Sequence, residues 1–233
     1  MQMVTREQFM PTAISSFRTV HTVLDIGSGI KPQDLVDCRV HVCVEPFRQY
    51  AERLTVENPD AVVITCGWSD AVHLFPAGSV DTVVLLDVIE HLEKDEGQRL
   101  LEATVKIARS QVIVLTPLGF MPQGEGESKD AWGLDGTDWQ VHRSGWVPED
   151  FPGWQSIVCE DFHEEDAYGR PLGEPHGALF AILDKGAGLE PGIMVRYVHW
   201  QRRTDSPVAK LAVRAISAVS VGIATLLRGI ARR

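Results

Sequence analysis

Cysteine is scarce in this chain of 233 residues: Cys38, Cys43, Cys66 and Cys159 are scattered, without the paired spacing of a zinc site. That usage fits free thiols in a reducing compartment rather than a disulfide framework. Residues 1–20 contain no continuous apolar stretch behind a basic start, so no secretory signal is expected. Long hydrophobic runs are missing too. A membrane-spanning helix needs ~20 apolar residues, whereas the longest uncharged tract near the C-terminus, Ala215–Leu227, has 13. Positive charge is in deficit, with 22 Lys and Arg against 32 Asp and Glu and a net charge of −10. Binding a phosphate backbone requires clustered Lys and Arg, so nucleic acid is not an expected partner. These absences together point to the cytoplasm.

What is present describes a folded chain. At 44% hydrophobic and 23% charged residues, the composition is not that of a disordered protein. The length suits one sizeable domain with an appendage, and we place the boundary at 1–200 and 201–233. Charge supports that division. Residues 201–233 hold seven basic residues against Asp205 alone, a balance of +6, which leaves −16 for residues 1–200.

Along the chain, short apolar runs alternate with helical patterns. A helix is expected over residues 4–19, interrupted at Pro11. Strands are expected at 20–26, 40–44, 61–65, 81–87 and 112–115, with helices at 47–57 and 94–108. After Pro117 the rhythm breaks into a Gly-, Asp- and Trp-rich loop, 118–154, and two last strands follow at 155–159 and 178–183. Strands alternating with helices mean a doubly wound, mostly parallel α/β sheet of seven strands. Their near-continuous apolar character means both faces are covered.

The sharpest local feature is Val23-Leu24-Asp25-Ile26-Gly27-Ser28-Gly29. Glycines directly after a strand let the backbone turn tightly and approach a ligand closely. Asp25 can either orient that loop or accept from an ammonium group. Glu45, at the end of the second strand, can accept from two ribose hydroxyls. A dinucleotide site calls for a third glycine where Pro32 stands, which counts against a nicotinamide-dependent oxidoreductase. Asp70 follows the third strand, where it can take an adenine amino group.

These residues, with the run from Ser79 through Asp87 to Glu90-His91-Leu92, resemble class I S-adenosylmethionine-dependent methyltransferases. The resemblance covers about residues 20–185 and is strongest to the small-molecule branch that includes the ubiquinone-biosynthesis methyltransferases. It implies a Rossmann-like methyltransferase fold with S-adenosyl-L-methionine as cofactor. Asp25, Gly27, Ser28 and Gly29 would hold the methionine end, and Glu45 and Pro46 the ribose. Trp68, Ser69 and Asp70 would border the adenine, and Asp87 would lie under the sulfonium.

Methyl transfer to oxygen gains from a base near the hydroxyl. His91 and His142 are the candidates, each with a structural hydrogen bond as its other reading. The segment from Gln140 to Phe151 is also similar to methyltransferases associated with bacterial surface polysaccharides and glycolipids. Trp132, Trp139 and Trp146 can offer flat platforms to a sugar or, equally, anchor the loop to the body. No ligand spacing assigns a metal. The expected reaction is O-methylation of a sugar, glycolipid or other small molecule. A quinone-like acceptor, or a non-catalytic scaffold at a membrane surface, is the alternative.

The tail has its own pattern. Ser206-Pro207 marks a helix start. Lys210, Arg214, Ser217, Thr225, Arg228 and Arg232 fall on one side of a helical wheel, with Leu211, Ile216, Val219, Ile223, Leu226, Leu227 and Ile230 around the rest. Such a basic amphipathic helix suits the inner face of an anionic membrane, where residues 207–233 are expected to make peripheral contact; the other reading is that it packs its apolar face on the body or on a second subunit. Anionic vesicles should therefore sediment the full chain but not a chain ending at Thr204; equal sedimentation of the two would remove the membrane role.

Overall fold

The computed structural model describes residues 1–123 and 127–186. The tail helix and the expected boundary at residue 200 lie outside them. The elements are β1 (Gln2–Met3), α1 (Arg6–Ser15), β2 (Thr22–Ile26), β3 (Val40–Val44), α2 (Arg48–Glu57), β4 (Val62–Ile64), α3 (Trp68–Leu74), β5 (Val80–Leu86), α4 (Lys94–Ile107), β6 (Ala108–Pro117), β7 (Gln155–Glu165) and β8 (Pro171–Asp184). No helix among the described residues is long and apolar enough to cross a membrane.

One eight-stranded sheet runs β1-β7-β8-β6-β5-β2-β3-β4. Only β8 is antiparallel to its neighbours among the described strands; the remaining pairs are parallel. The sheet thus has one strand more than expected. The addition is β1, whose two residues pair with Ile157 and Val158 at an edge and are too short to show any periodicity.

Side chains alternate across the sheet as the pleat requires. Leu24, Ile26, Val83, Leu85, Val112 and Val114 enter one core with α3 and α4. Val23, Val84 and Ile113 enter the other, with Phe9 and Ala13 of α1. Both faces are covered, which explains why these strands read as continuous apolar runs. On α4 the buried residues are Gly97, Leu100, Leu101, Thr104 and Ile107, the spacing of one helical face.

Several boundaries differ from expectation. Pro11 does not interrupt α1. Its ring lies on the exposed side, where one missing backbone bond is tolerated while Phe9 and Ala13 anchor the helix. The short α3 went unpredicted, since seven residues give too little periodicity. β7 and β8 run well beyond the apolar segments that announced them, as a hairpin with mostly exposed, charged positions between Glu160 and Glu174. Backbone pairing carries those residues, so hydrophobic pattern gives no signal for them.

The order reverses at β2. From it the chain builds β3 and β4 to one side, then returns to place β5 and β6 on the other. At such a switch point the carboxyl ends of neighbouring strands open a crevice.

Trp146 ties the long loop to the body. Its ring is fully buried, Lys94 Nζ lies 3.8 Å over it, and its Nε1–H donates to Ser144 Oγ at 2.9 Å. This corrects its expected place as a sugar platform: no face of the indole is open to a ligand. Trp146→Ala should cost about 3–5 kcal/mol, the usual range for emptying a large aromatic site, as read by urea unfolding. A loss below ~1 kcal/mol would show that the loop is held elsewhere.

Candidate functional site

The glycine turn after β2 forms the crevice wall. Gly27 and Ser28 donate their N–H groups to Val44 O at 2.8 and 3.3 Å. Gly27 and Gly29 have φ of 75° and 59°, a region costly to other residues. Space is short as well. A Cβ on Gly27 would lie 2.8 Å from Val88 Cγ2, and one on Gly29 would lie 2.7 Å from Trp132 Cη2. Asp25, at the end of β2, takes the Gln33 N–H at 2.8 Å and lies 3.2 Å from His41 Nε2. Of its two sequence readings, loop orientation is the one these bonds serve.

Glu45 is buried at the end of β3. Its Oε2 accepts the Gly29 N–H and its Oε1 the Phe47 N–H, both at 2.8 Å. Burial pushes this carboxyl up to about 7, because removing a carboxylate from water disfavours its charge. Pro46, half-buried, leads into α2. From α2, Tyr50 donates to Asp130 Oδ2 at 2.5 Å.

Asp130 organises the loop. Its Oδ1 accepts from the backbone of Trp132 and Leu134, and its Oδ2 from Gly136, at 2.8–2.9 Å. The four donors hold the carboxyl below its ordinary range despite burial. Trp132 is thereby set over Gly29 and edge-on to Tyr50, with ring centroids 4.7 Å apart. Trp139 lies beside Phe47 at 6.4 Å. Both indoles keep an open face, at 39% and 49% exposure.

Asp87, just past β5, has φ 53°, a conformation Asp tolerates better than most residues. It is open to solvent, yet protein packed around it raises its carboxyl. Glu90 follows in a short 3₁₀ turn and is buried. Its Oε2 accepts from Thr116 Oγ1 at 3.0 Å, while Oε1 has no partner. Burial, and then Asp87, raise it well above the carboxylate range.

His91 and His142, 51 residues apart in sequence, meet here with ring centroids 4.8 Å apart. Nδ1 of His91 lies 3.2 Å from Val141 O, and Nδ1 of His142 lies 2.6 Å from Met121 O. Each Nδ1 therefore carries the proton, leaving the lone pair on Nε2. Burial pushes His91 down to about 4 and lowers His142.

Trp68, Ser69 and Asp70 form the first turn of α3, beyond β4. Ser69 and Asp70 are exposed and Trp68 packs on the core. The structure adds Tyr50, Glu90, Thr116 and Asp130 to the residues expected from sequence. Glu90 stood in view beside His91; the others depend on contacts 26 to 80 residues distant in sequence.

No family model and no curated protein matches the chain. Solved structures do resemble it. An S-adenosylmethionine-dependent methyltransferase from Archaeoglobus fulgidus superposes with TM-score 0.50 at 15% identity, over 77% of this chain and 95% of that one. One from Leishmania major gives TM-score 0.51 at 12% identity, over 76% and 72%. The chain thus shares the fold of these enzymes.

Glu45 makes a prediction about pH. Its folded value of about 7 exceeds its ordinary 4.5, so the native chain holds that proton more tightly than the unfolded one. The resulting stability is present at low pH and is lost as pH rises from 4.5 to about 7. Glu45→Gln cannot titrate. The difference in unfolding free energy between wild type and variant should shift on the order of 3 kcal/mol across that window. A pH-independent difference in urea titrations would refute the shift.

Proposed function

We propose that the chain is an S-adenosylmethionine-dependent methyltransferase that acts on a hydroxyl of a sugar, glycolipid or other small molecule. One observation carries the reading: the glycine turn, Glu45 and Asp87 meet at the carboxyl ends of β2, β3 and β5, where the strand order reverses. The shared fold supports it.

The residues suit a cationic adenosine-bearing ligand. Gly27 and Gly29 put no side chain of their own on the turn, and Glu45 keeps lone pairs for hydroxyls beyond its two backbone bonds. Positive charge in the crevice would draw Glu45, poised near neutrality, into its ionised form. When bound, the cofactor supplies an electrophilic methyl group on a positively charged sulfur. The chain's part is to align the acceptor and exclude water. Trp132 lies over Gly29 and Trp139 beside Phe47, and the exposed indoles suit the apolar face of a sugar ring. With lone pairs on Nε2, His142 and His91 can receive the hydroxyl proton there.

Calorimetry with S-adenosylhomocysteine tests the cofactor half: one equivalent should bind, with at least tenfold weaker binding in Glu45→Ala. No binding to the wild type would sink the reading. A labelled-methyl assay against soluble sugars and extracted glycolipids tests the acceptor half. His142→Ala should lower turnover more than tenfold while sparing cofactor affinity, and an unchanged rate would discard His142.

A further inference from the structure

Potential metal-ligand atoms converge, within 4.8 Å of one another, in two groups among the described residues: Asp25 with His41 and Cys43, and Glu90 with His91 and His142. The two differ in what already satisfies them. Asp25 receives a backbone N–H and lies against an imidazole nitrogen, so a donor faces its acceptor. At Glu90 the Thr116 hydroxyl donates to Oε2, and the second oxygen is left over. Oε1 is buried and unpartnered, and both Nδ1 protons are spent on the carbonyls of Val141 and Met121. A buried, unsatisfied carboxyl oxygen beside two imidazoles whose Nε2 atoms are not used in these bonds is a set that a cation would satisfy.

We infer that Glu90, His91 and His142 bind one divalent transition-metal ion at the floor of the cleft. Two imidazoles and one carboxylate favour zinc, iron, cobalt or manganese over magnesium and calcium, which prefer all-oxygen sites. Three protein ligands leave coordination positions open, as reactive rather than structural sites do. The surroundings are those of a ligand set: each imidazole gives its other N–H to a backbone carbonyl, and Thr116 fixes the carboxylate. His163 and His176, paired across β7 and β8 with buried, unpartnered Nε2 atoms, belong to neither group.

Binding stands on this geometry alone; its catalytic meaning rests on the methyltransferase reading. With the ion bound, the imidazoles would serve as its ligands and the base role proposed for them would pass to the ion. A hydroxyl on an open position is acidified by the ion and releases its proton to water. Its oxygen then forms the new bond to the methyl carbon as the carbon–sulfur bond breaks and sulfur keeps the electron pair.

The test is Co²⁺ titration of the chelator-treated full chain, without methyl donor or acceptor, followed by calorimetry and visible absorption. One equivalent should bind with d–d bands and be displaced by Zn²⁺, while millimolar Mg²⁺ should not compete. Proton spectra of the Co²⁺ form should show two hyperfine-shifted exchangeable N–H signals, one from each Nδ1. Glu90→Gln and His142→Gln should each weaken binding at least tenfold, and Cys43→Ser should leave it unchanged. Lack of saturable binding overturns the site. So does a thiolate charge-transfer band that Cys43→Ser abolishes, or the absence of both shifted signals, which needs no variant to fold. Cofactor binding is measured separately, so metal without S-adenosylhomocysteine binding sinks only the methyltransferase reading.

Discussion

The cleft is held by a buried carboxylate. Glu45 takes the N–H of Gly29 with one oxygen and that of Phe47 with the other, so the glycine turn and the entry to α2 share one anchor. From there the dependence closes on itself. α2 carries Tyr50, Tyr50 binds Asp130, Asp130 gathers the backbone around Trp132, and Trp132 returns to cover Gly29. A carboxylate removed from water is expensive unless donors reach it, and the donors available are those of the segments that shape the cleft. The cost of burial therefore orders them.

The same accounting comes out differently on the other side of the crevice. Around Glu90 the carboxyl group is raised and the imidazoles lowered, each toward its neutral form. Burial does this to acids and bases alike when compensating charge is missing. Close by, Asp87 holds a left-handed backbone conformation. Strain and unmet polar groups in one place are what a fold tolerates where it binds something, while its two cores supply the stability elsewhere.

Much of this was legible in the chain. The strands showed as apolar runs because both faces of the sheet are covered. The glycine turn and Glu45 showed because their places depend on short stretches beside strand ends. The long loop showed as a loss of rhythm after Pro117. Other features had no local signal. The outer parts of β7 and β8 are mostly exposed, so they carry no run of apolar residues to announce them. Trp146 and Trp132 are alike as letters, yet one is sealed beneath Lys94 and the other lies over the turn. Asp130 is one of several aspartates in the Gly-, Asp- and Trp-rich loop, and only its four donors reveal a structural hub.

The sequence by itself determined the sheet's parallel rhythm and the tight glycine turn after the strand at Thr22–Ile26, because each is set by residues within a few positions of one another. Only the tertiary structure decided which histidines meet. His91 stands beside Glu90 in any conformation. His142 reaches them because Arg143 and Ser144 donate their backbone N–H groups to Glu90 O while Trp146 pins the segment that follows. That juxtaposition spans half a hundred residues of chain, and it is settled by hydrogen bonding and packing that no local pattern encodes.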